Sequence, residues 1–152
     1  MTWTYENRVR AILGQISREN EASASSVCYE FVNHFSLDFL EYLGEYSDAI
    51  AESVEQLYAR TPISIGSRRI WIEGALRLLR LIQEGKCRCE ILTELPACPH
   101  NLEKSGHLKS IVGIQFLYEV SEVGQYACAY CGRSFTVSKQ ARSSRTTWSL
   151  KK

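Results

Sequence analysis

Cys87-Arg-Cys-Glu-Ile-Leu-Thr-Glu-Leu-Pro-Ala-Cys-Pro-His100, and further on Tyr126-Ala-Cys-Ala-Tyr-Cys-Gly-Arg-Ser-Phe135, are the stretches that decide how this chain is read. The segment from Lys86 to Phe135 holds five of the six cysteines and two of the three histidines. Six of these seven fall into three short pairs, Cys87-x-Cys89, Cys98-x-His100 and Cys128-x-x-Cys131, and His107 stands apart. No run of about 18 apolar residues is present, and Met1 to Arg8 lacks the basic-then-apolar pattern of a secretory signal. The chain is therefore expected in the cytoplasm, where thiols stay reduced and clustered cysteines read as metal ligands before disulfides.

Zinc takes four deprotonated sulfur or nitrogen ligands in a tetrahedron. Two cysteines separated by two residues reach one ion across a tight turn, and Gly132 relieves crowding where backbone amides bend toward the sulfurs. The pattern Tyr126-x-Cys128-x-x-Cys131-Gly132-x-x-Phe135 resembles half of a zinc ribbon or a treble clef. A redox dithiol is the competing reading of Cys128 and Cys131, but the βαβ context of a thioredoxin-like protein does not follow them. Two further ligands are needed. In the preferred set Cys98 and His100 join Cys128 and Cys131, the intervening segment forms the body of a ribbon, and Cys87 and Cys89 are alternative ligands. In the second set Cys87, Cys89, Cys98 and His100 act together. That stretch resembles the SWIM zinc motif, Cys-x-Cys, a short spacer, then Cys-x-His. Its Leu92-Thr-x-Leu95-Pro lead-in is similar to some transposase-associated members. The resemblance covers about 15 residues and implies DNA binding or protein interaction. It departs from the family after the histidine, where Asn-Leu-Glu-Lys-Ser-Gly106 replaces the usual apolar helix. A two-metal arrangement would use all the groups, with His107 a spare candidate read as a surface residue.

Catalytic residues are not expected. A catalytic zinc keeps an open position beside a general base. The chain has no His-Glu-x-x-His, no His-x-Glu ahead of Pro-Cys-x-x-Cys, no phosphate-binding glycine loop and no Gly-x-Ser-x-Gly. Cys128-Ala-Tyr-Cys131-Gly-Arg133 resembles the knuckle of HNH nucleases, but the histidines those enzymes need beyond it are missing. Glu119 and Glu122 read as a wet strand face.

Upstream of the cysteines the chain reads as about four helices. Tyr5, Val9, Ile12 and Ile16 mark one face of the first, over Thr4 to Ser17. Ser23, Ser25 or Ser26 caps a long second helix with Val27, Phe31, Phe35, Phe39 and Leu43 in register; a break at Ser36 is possible, and Gly44 is a left-handed stop. Cys28 and His34 on this helix read as structural. Ser47 or Asp48 opens the third, which ends before Pro62. The fourth, Ser67 to Glu84, is apolar on most sides, with Arg69, Glu73, Arg77, Arg80 and Glu84 as one charged strip, so it is expected at the centre with Trp71 against the earlier helices. Gly85 ends it. Beyond it, Cys87 to Thr93 alternates like a strand, Asn101 to Lys109 allows a helical turn, Ile111 to Val123 reads as strand, Gly124-Gln125 as a turn, and Ser134 to Ser138 as strand.

Charge is graded along the chain. Met1 to Arg60 has 4 arginines against 10 acidic residues, whereas Gly132 to Lys152 has 6 basic residues and no acid. Arg133, Lys139, Arg142, Arg145, Lys151 and Lys152 are therefore candidate contacts to nucleic-acid backbone, with Trp148 either stacking on a base or tucked into the fold. The fold class expected is α+β: a helical bundle over 1–85, a zinc-stabilised β module over 86–138 packed on it, and a flexible basic tail over 139–152. The function expected is that of a non-enzymatic zinc-binding adaptor or regulatory protein, with the arm a candidate for contact to nucleic acid and the acidic helical half a candidate for contact to a protein partner. A pure protein-interaction module with structural zinc is the alternative, and an enzyme with an unrecognised site the remaining one.

Overall fold

The computed structural model describes residues 4–18, 20–60, 67–117, 121–140 and 146–150. The fold is α+β, and the chain divides into two compact units, Met1–Lys86 and Cys87–Lys152. Among the described residues no helix is long and apolar enough to cross a membrane.

Among the described residues the first unit is five helices: α1 (Tyr5–Arg18), α2 (Glu21–Asn33), α3 (Leu37–Gly44), α4 (Ser47–Arg60) and α5 (Ser67–Gln83). The long second helix expected from periodicity is thus two helices, α2 and α3. The His34 and Phe35 amides both end on the Glu30 carbonyl, and Ser36 then caps α3 by accepting from the Phe39 amide. The cap of α2 is Asn20, one turn ahead of the serines, its side chain accepting from the Ser23 amide. Gly44 is not a left-handed stop. It stays helical against α5, where its carbonyl accepts from Gln83 Nε2 at 2.9 Å. The left-handed stop belongs to Gly85, at φ +72°, just past α5.

Helix α5 packs on α2, α3 and α4, as a helix apolar on most sides must. Phe31, Phe39, Leu43, Ile50, Leu57 and Leu79 are fully buried in this unit, and each contributes about 1.5–3 kcal/mol by leaving water. Trp71 meets Tyr29 of α2 edge-on at 4.7 Å. Arg69 and Glu73 pair at 2.8 Å on the exposed strip.

In the second unit, Cys87 to Leu92 is not a strand but a 3-10 turn over Arg88–Ile91. The buried residues Arg88 and Cys89, then Ile91 and Leu92, come in adjacent pairs three apart, with Leu95 three beyond, a helical rhythm that a short window mistakes for alternation. Helix α6 (Pro99–Lys104) follows, opened by Pro99 in its first turn and anchored by the fully buried Leu102. Four antiparallel strands complete the unit in the order β1 (Leu108–Leu117), β2 (Ser121–Cys128), β3 (Ser134–Gln140), β4 (Thr146–Leu150). Gly124 and Gln125 lie inside β2, not in a turn, because the β1–β2 register runs from Leu108 opposite Cys128 to Leu117 opposite Ser121. The segment expected to be a flexible tail from 139 onward contains the end of β3 and all of β4. Trp148 opposes Val137, is 4% exposed, stacks edge-on with Phe135 at 5.9 Å, and donates its indole N–H to the Ala97 carbonyl at 3.0 Å. It is tucked into this unit's own core.

Candidate metal centre

Cys128 closes strand β2, and the chain then turns through Ala129, Tyr130 and Cys131 into Gly132. The turn is fixed by backbone bonds: the Cys128 amide donates to the Arg133 carbonyl at 2.8 Å, and the Gly132 amide donates to the Cys128 carbonyl at 3.0 Å. Gly132 sits at φ +77°, a conformation that glycine adopts without the Cβ clash. A second anchor comes from the Ala129 amide, which donates to the His107 carbonyl at 2.8 Å.

Opposite this knuckle stands the 3-10 turn, with Cys87 at its N-cap and Cys89 inside it. The ligand atoms of Cys87, Cys89, Cys128 and Cys131 all lie within 4.8 Å of one another. Cys87 and Cys128 sulfurs are 3.5 Å apart, and Cys89 and Cys131 sulfurs 3.3 Å. All four are free thiols. A tetrahedron with metal–sulfur bonds of about 2.3 Å has sulfur–sulfur edges of about 3.8 Å, so the cluster has the dimensions to hold one metal ion. Cys89 and Cys128 are buried, Cys87 half-buried and Cys131 exposed.

Sulfurs this close share protons. The neighbouring Cys89 thiol, by hydrogen bonding to it, holds Cys128 down to about 4. That same bond pushes the Cys89 thiol up, while burial pushes Cys87 up to about 11. A cation would take over the role of the shared protons. The buried Arg88 lies between the two cysteines of the turn, its guanidinium against His107 Nε2. Burial lowers Arg88 to about 10, against the Tyr130 hydroxyl and the sulfurs of Cys128, Cys87 and Cys89, which favour its charge. A buried guanidinium beside these three sulfurs fits thiolates better than thiols. Arg133 and Glu90 pair at 3.4 Å, joining the knuckle to the 3-10 turn.

The structure takes one pair from each ligand set expected from spacing. Cys128 and Cys131 are grouped with Cys87 and Cys89, and the group does not include Cys98 or His100. The proline at the start of α6 explains the difference. It places Cys98 at the helix N-cap and His100 in the first turn, where both line a separate cleft. His107, expected at the surface, is 2% exposed. Of the six basic residues singled out, Arg133 is the partner of Glu90 and Lys139 is exposed on β3. Arg142, Arg145, Lys151 and Lys152 lie outside the described residues. Arg88 is the site residue that sequence reasoning missed, and His107, a spare ligand candidate there, is its buried partner. A single arginine inside Cys-x-Cys was the available signal, and nothing in the sequence marked it as buried.

No protein-family model, curated protein or solved structure matches this chain.

Proposed function

We propose that the protein is a non-enzymatic zinc-binding adaptor whose metal is structural. The observation that carries this reading is the closed set of four cysteine sulfurs within 4.8 Å of one another. Four thiolates saturate tetrahedral zinc and leave no position for substrate or water. Such a site ties the 3-10 turn to the knuckle across about 40 residues of chain, and its binding free energy is folding free energy for a unit too small to be secure on its core alone. Free, clustered thiols suit a reducing, cytoplasmic setting.

The adaptor role rests on charge. The stretch from Gly132 to Lys152 has 6 basic residues and no acid, a composition suited to nucleic-acid backbone. Lys139, Arg142, Arg145, Lys151 and Lys152 carry that role, since Arg133 is engaged with Glu90 and Trp148 is buried. The burial of Trp148 also gives the second reading its support: with Trp148 withdrawn from the arm's surface, a protein-interaction module with structural zinc needs no contact to bases.

Elemental mass spectrometry on protein purified reduced and without chelator tests the metal. One zinc per chain is expected, lost in Cys87→Ser, Cys89→Ser and Cys128→Ser and kept in Cys98→Ser. Metal-free wild type, iron in place of zinc, or loss confined to Cys98→Ser would overturn the assignment. Salt-dependent binding of a nucleic-acid duplex by wild type and by a variant with Arg142, Arg145, Lys151 and Lys152 all changed to Gln tests the arm. Truncation is unsuitable, because it removes β4. An unchanged salt slope in the variant leaves the protein-interaction reading standing alone.

A further inference from the structure

One face of the sheet in the second unit is covered only in part. On that face Tyr126 opposes Ser110 and Phe135, Gly124 opposes Val137, and Lys139 opposes Thr146. Toward the cysteines the face is closed by buried Leu108, Cys128 and Phe135. Toward Lys139 a cleft of about 300 Å³ remains between the strands and α6, within the size range of small-molecule sites.

The cleft has an apolar floor, and among its described lining residues two are charged. Gly124, Tyr126 and Val137 form the floor and are buried. A Cβ at Gly124 would fall 2.8 Å from Tyr126 Cε2 and 3.3 Å from its hydroxyl, so the tyrosine ring lies across this glycine. Any side chain there would lift the ring into the cleft. On the rim, Lys139 stands on the sheet wall and Glu103 on the α6 wall, both exposed. A cation on the sheet wall, with Glu122 opposite it in the β2–β3 register, and an anion on the α6 wall, above an apolar floor, match a ligand that carries both charges and an apolar group.

We propose that this cleft binds a free α-amino acid with an apolar or aromatic side chain. Lys139 pairs with its carboxylate, Glu103 with its ammonium, and the side chain lies on Tyr126 and Val137. Cys98 and His100, which the metal centre does not use, line the α6 wall. The proposal is independent of the metal assignment, and elemental analysis of each sample keeps failures of the two apart.

The test is titration of the full-length, metal-replete, ¹⁵N-labelled protein with three probes: L-phenylalanine, 3-phenylpropionate and phenethylamine. Saturable shifts confined to the amides of Gly124, Tyr126, Val137 and α6 are expected, with phenylalanine bound tightest. Lys139→Gln weakens phenylalanine and phenylpropionate by about 3- to 5-fold and leaves phenethylamine unchanged; Glu103→Gln weakens phenylalanine and phenethylamine by the same factor and leaves phenylpropionate unchanged. Both positions are exposed, so neither substitution threatens the fold. Gly124→Ala abolishes binding of all three. No saturable shift with any probe, or equal affinities indifferent to both charge substitutions, would overturn the proposal.

Discussion

Removing the indole of Trp148 tests whether the end of the chain belongs to a packed unit. Trp148 is 4% exposed and lies against Phe135 and Tyr126. A buried tryptophan withdraws about 150–250 Å² from water, which at about 25 cal/mol per Å² is roughly 4–6 kcal/mol of gross transfer free energy. Partial collapse of the site brings the expected cost of Trp148→Ala to about 3–5 kcal/mol. Trp148→Phe keeps most of the ring but strands the Ala97 carbonyl, which accepts the indole N–H at 3.0 Å. Leaving that acceptor unpaired costs about 1–3 kcal/mol. The chain has two compact units, so a single global midpoint would blur the effect. Hydrogen exchange read by mass spectrometry on peptides covering β3 and β4 resolves it, with free metal held constant because ligation shifts apparent stability. Protection of Ser134 to Gln140 should fall by about 3 kcal/mol or more (about two orders of magnitude in exchange rate) in Trp148→Ala and by less in Trp148→Phe. A loss below about 1 kcal/mol in Trp148→Ala, or wild-type exchange of Thr146 to Leu150 at unstructured rates, refutes the packing of Trp148 into the core of this unit.

Three further outcomes are expected. Gly132→Ala forces a side chain into φ +77°; at about 1–2 kcal/mol it lowers metal affinity about 5- to 30-fold, read by competition with a chromogenic chelator. Arg88→Met removes the buried cation beside the sulfurs of Cys87, Cys89 and Cys128 and lowers metal affinity about 10- to 100-fold, with Arg88→Lys milder; an unchanged affinity would show that the guanidinium does not act on the ion. Burial pushes Cys28 up to about 12. A raised folded value favours the neutral thiol, so its stabilising effect is complete below about pH 9, the unfolded value, and is lost between about pH 9 and 12 at about 1.4 kcal/mol per pH unit. Alkaline unfolding of the first unit should move to higher pH in Cys28→Ala, and Cys28 should resist alkylation in the native protein at pH 8.

Most of the helical unit was legible because its signals are local. Apolar residues three and four apart set α1, α4 and α5, and Gly85 and Ser36 act where their chemistry places them. The errors came where two local signals competed. The run Val27, Phe31, Phe35, Phe39, Leu43 keeps helical spacing straight through the α2–α3 break, so periodicity argued for one helix while the cap at Ser36 argued for two. Gly44 has the right residue type for a left-handed stop, but it is buried in contact with the Gln83 and Ile82 side chains of α5, and tertiary packing kept it helical. Gly124-Gln125 shows the converse. A glycine within a strand marks a close approach as readily as a turn, and in β2 what approaches is the ring of Tyr126.

The ligand set is a different kind of question, because pair spacing fixes which cysteines can share an ion locally but not which pairs meet. Cys128-x-x-Cys131 was readable from its spacing and the glycine after it. Its partner pair depended on two things outside both pairs. One is the β1–β2 register, which brings Leu108 opposite Cys128 and so sets the knuckle beside His107. The other is Pro99, which commits Cys98 and His100 to the start of α6 and leaves Cys87 and Cys89, on the 3-10 turn, to group with the knuckle. Arg88 argues the same way from charge. A guanidinium kept in the interior is stabilised by nearby negative charge; the Cys87, Cys89, Cys128 and Cys131 group supplies it as thiolates, about −2 with a divalent ion bound, and the sulfurs of Cys128, Cys87 and Cys89 favour the charge of Arg88. What separates the ligand sets that spacing left open is geometry: the four cysteine sulfurs lie within 4.8 Å of one another, in a group that does not include Cys98 or His100.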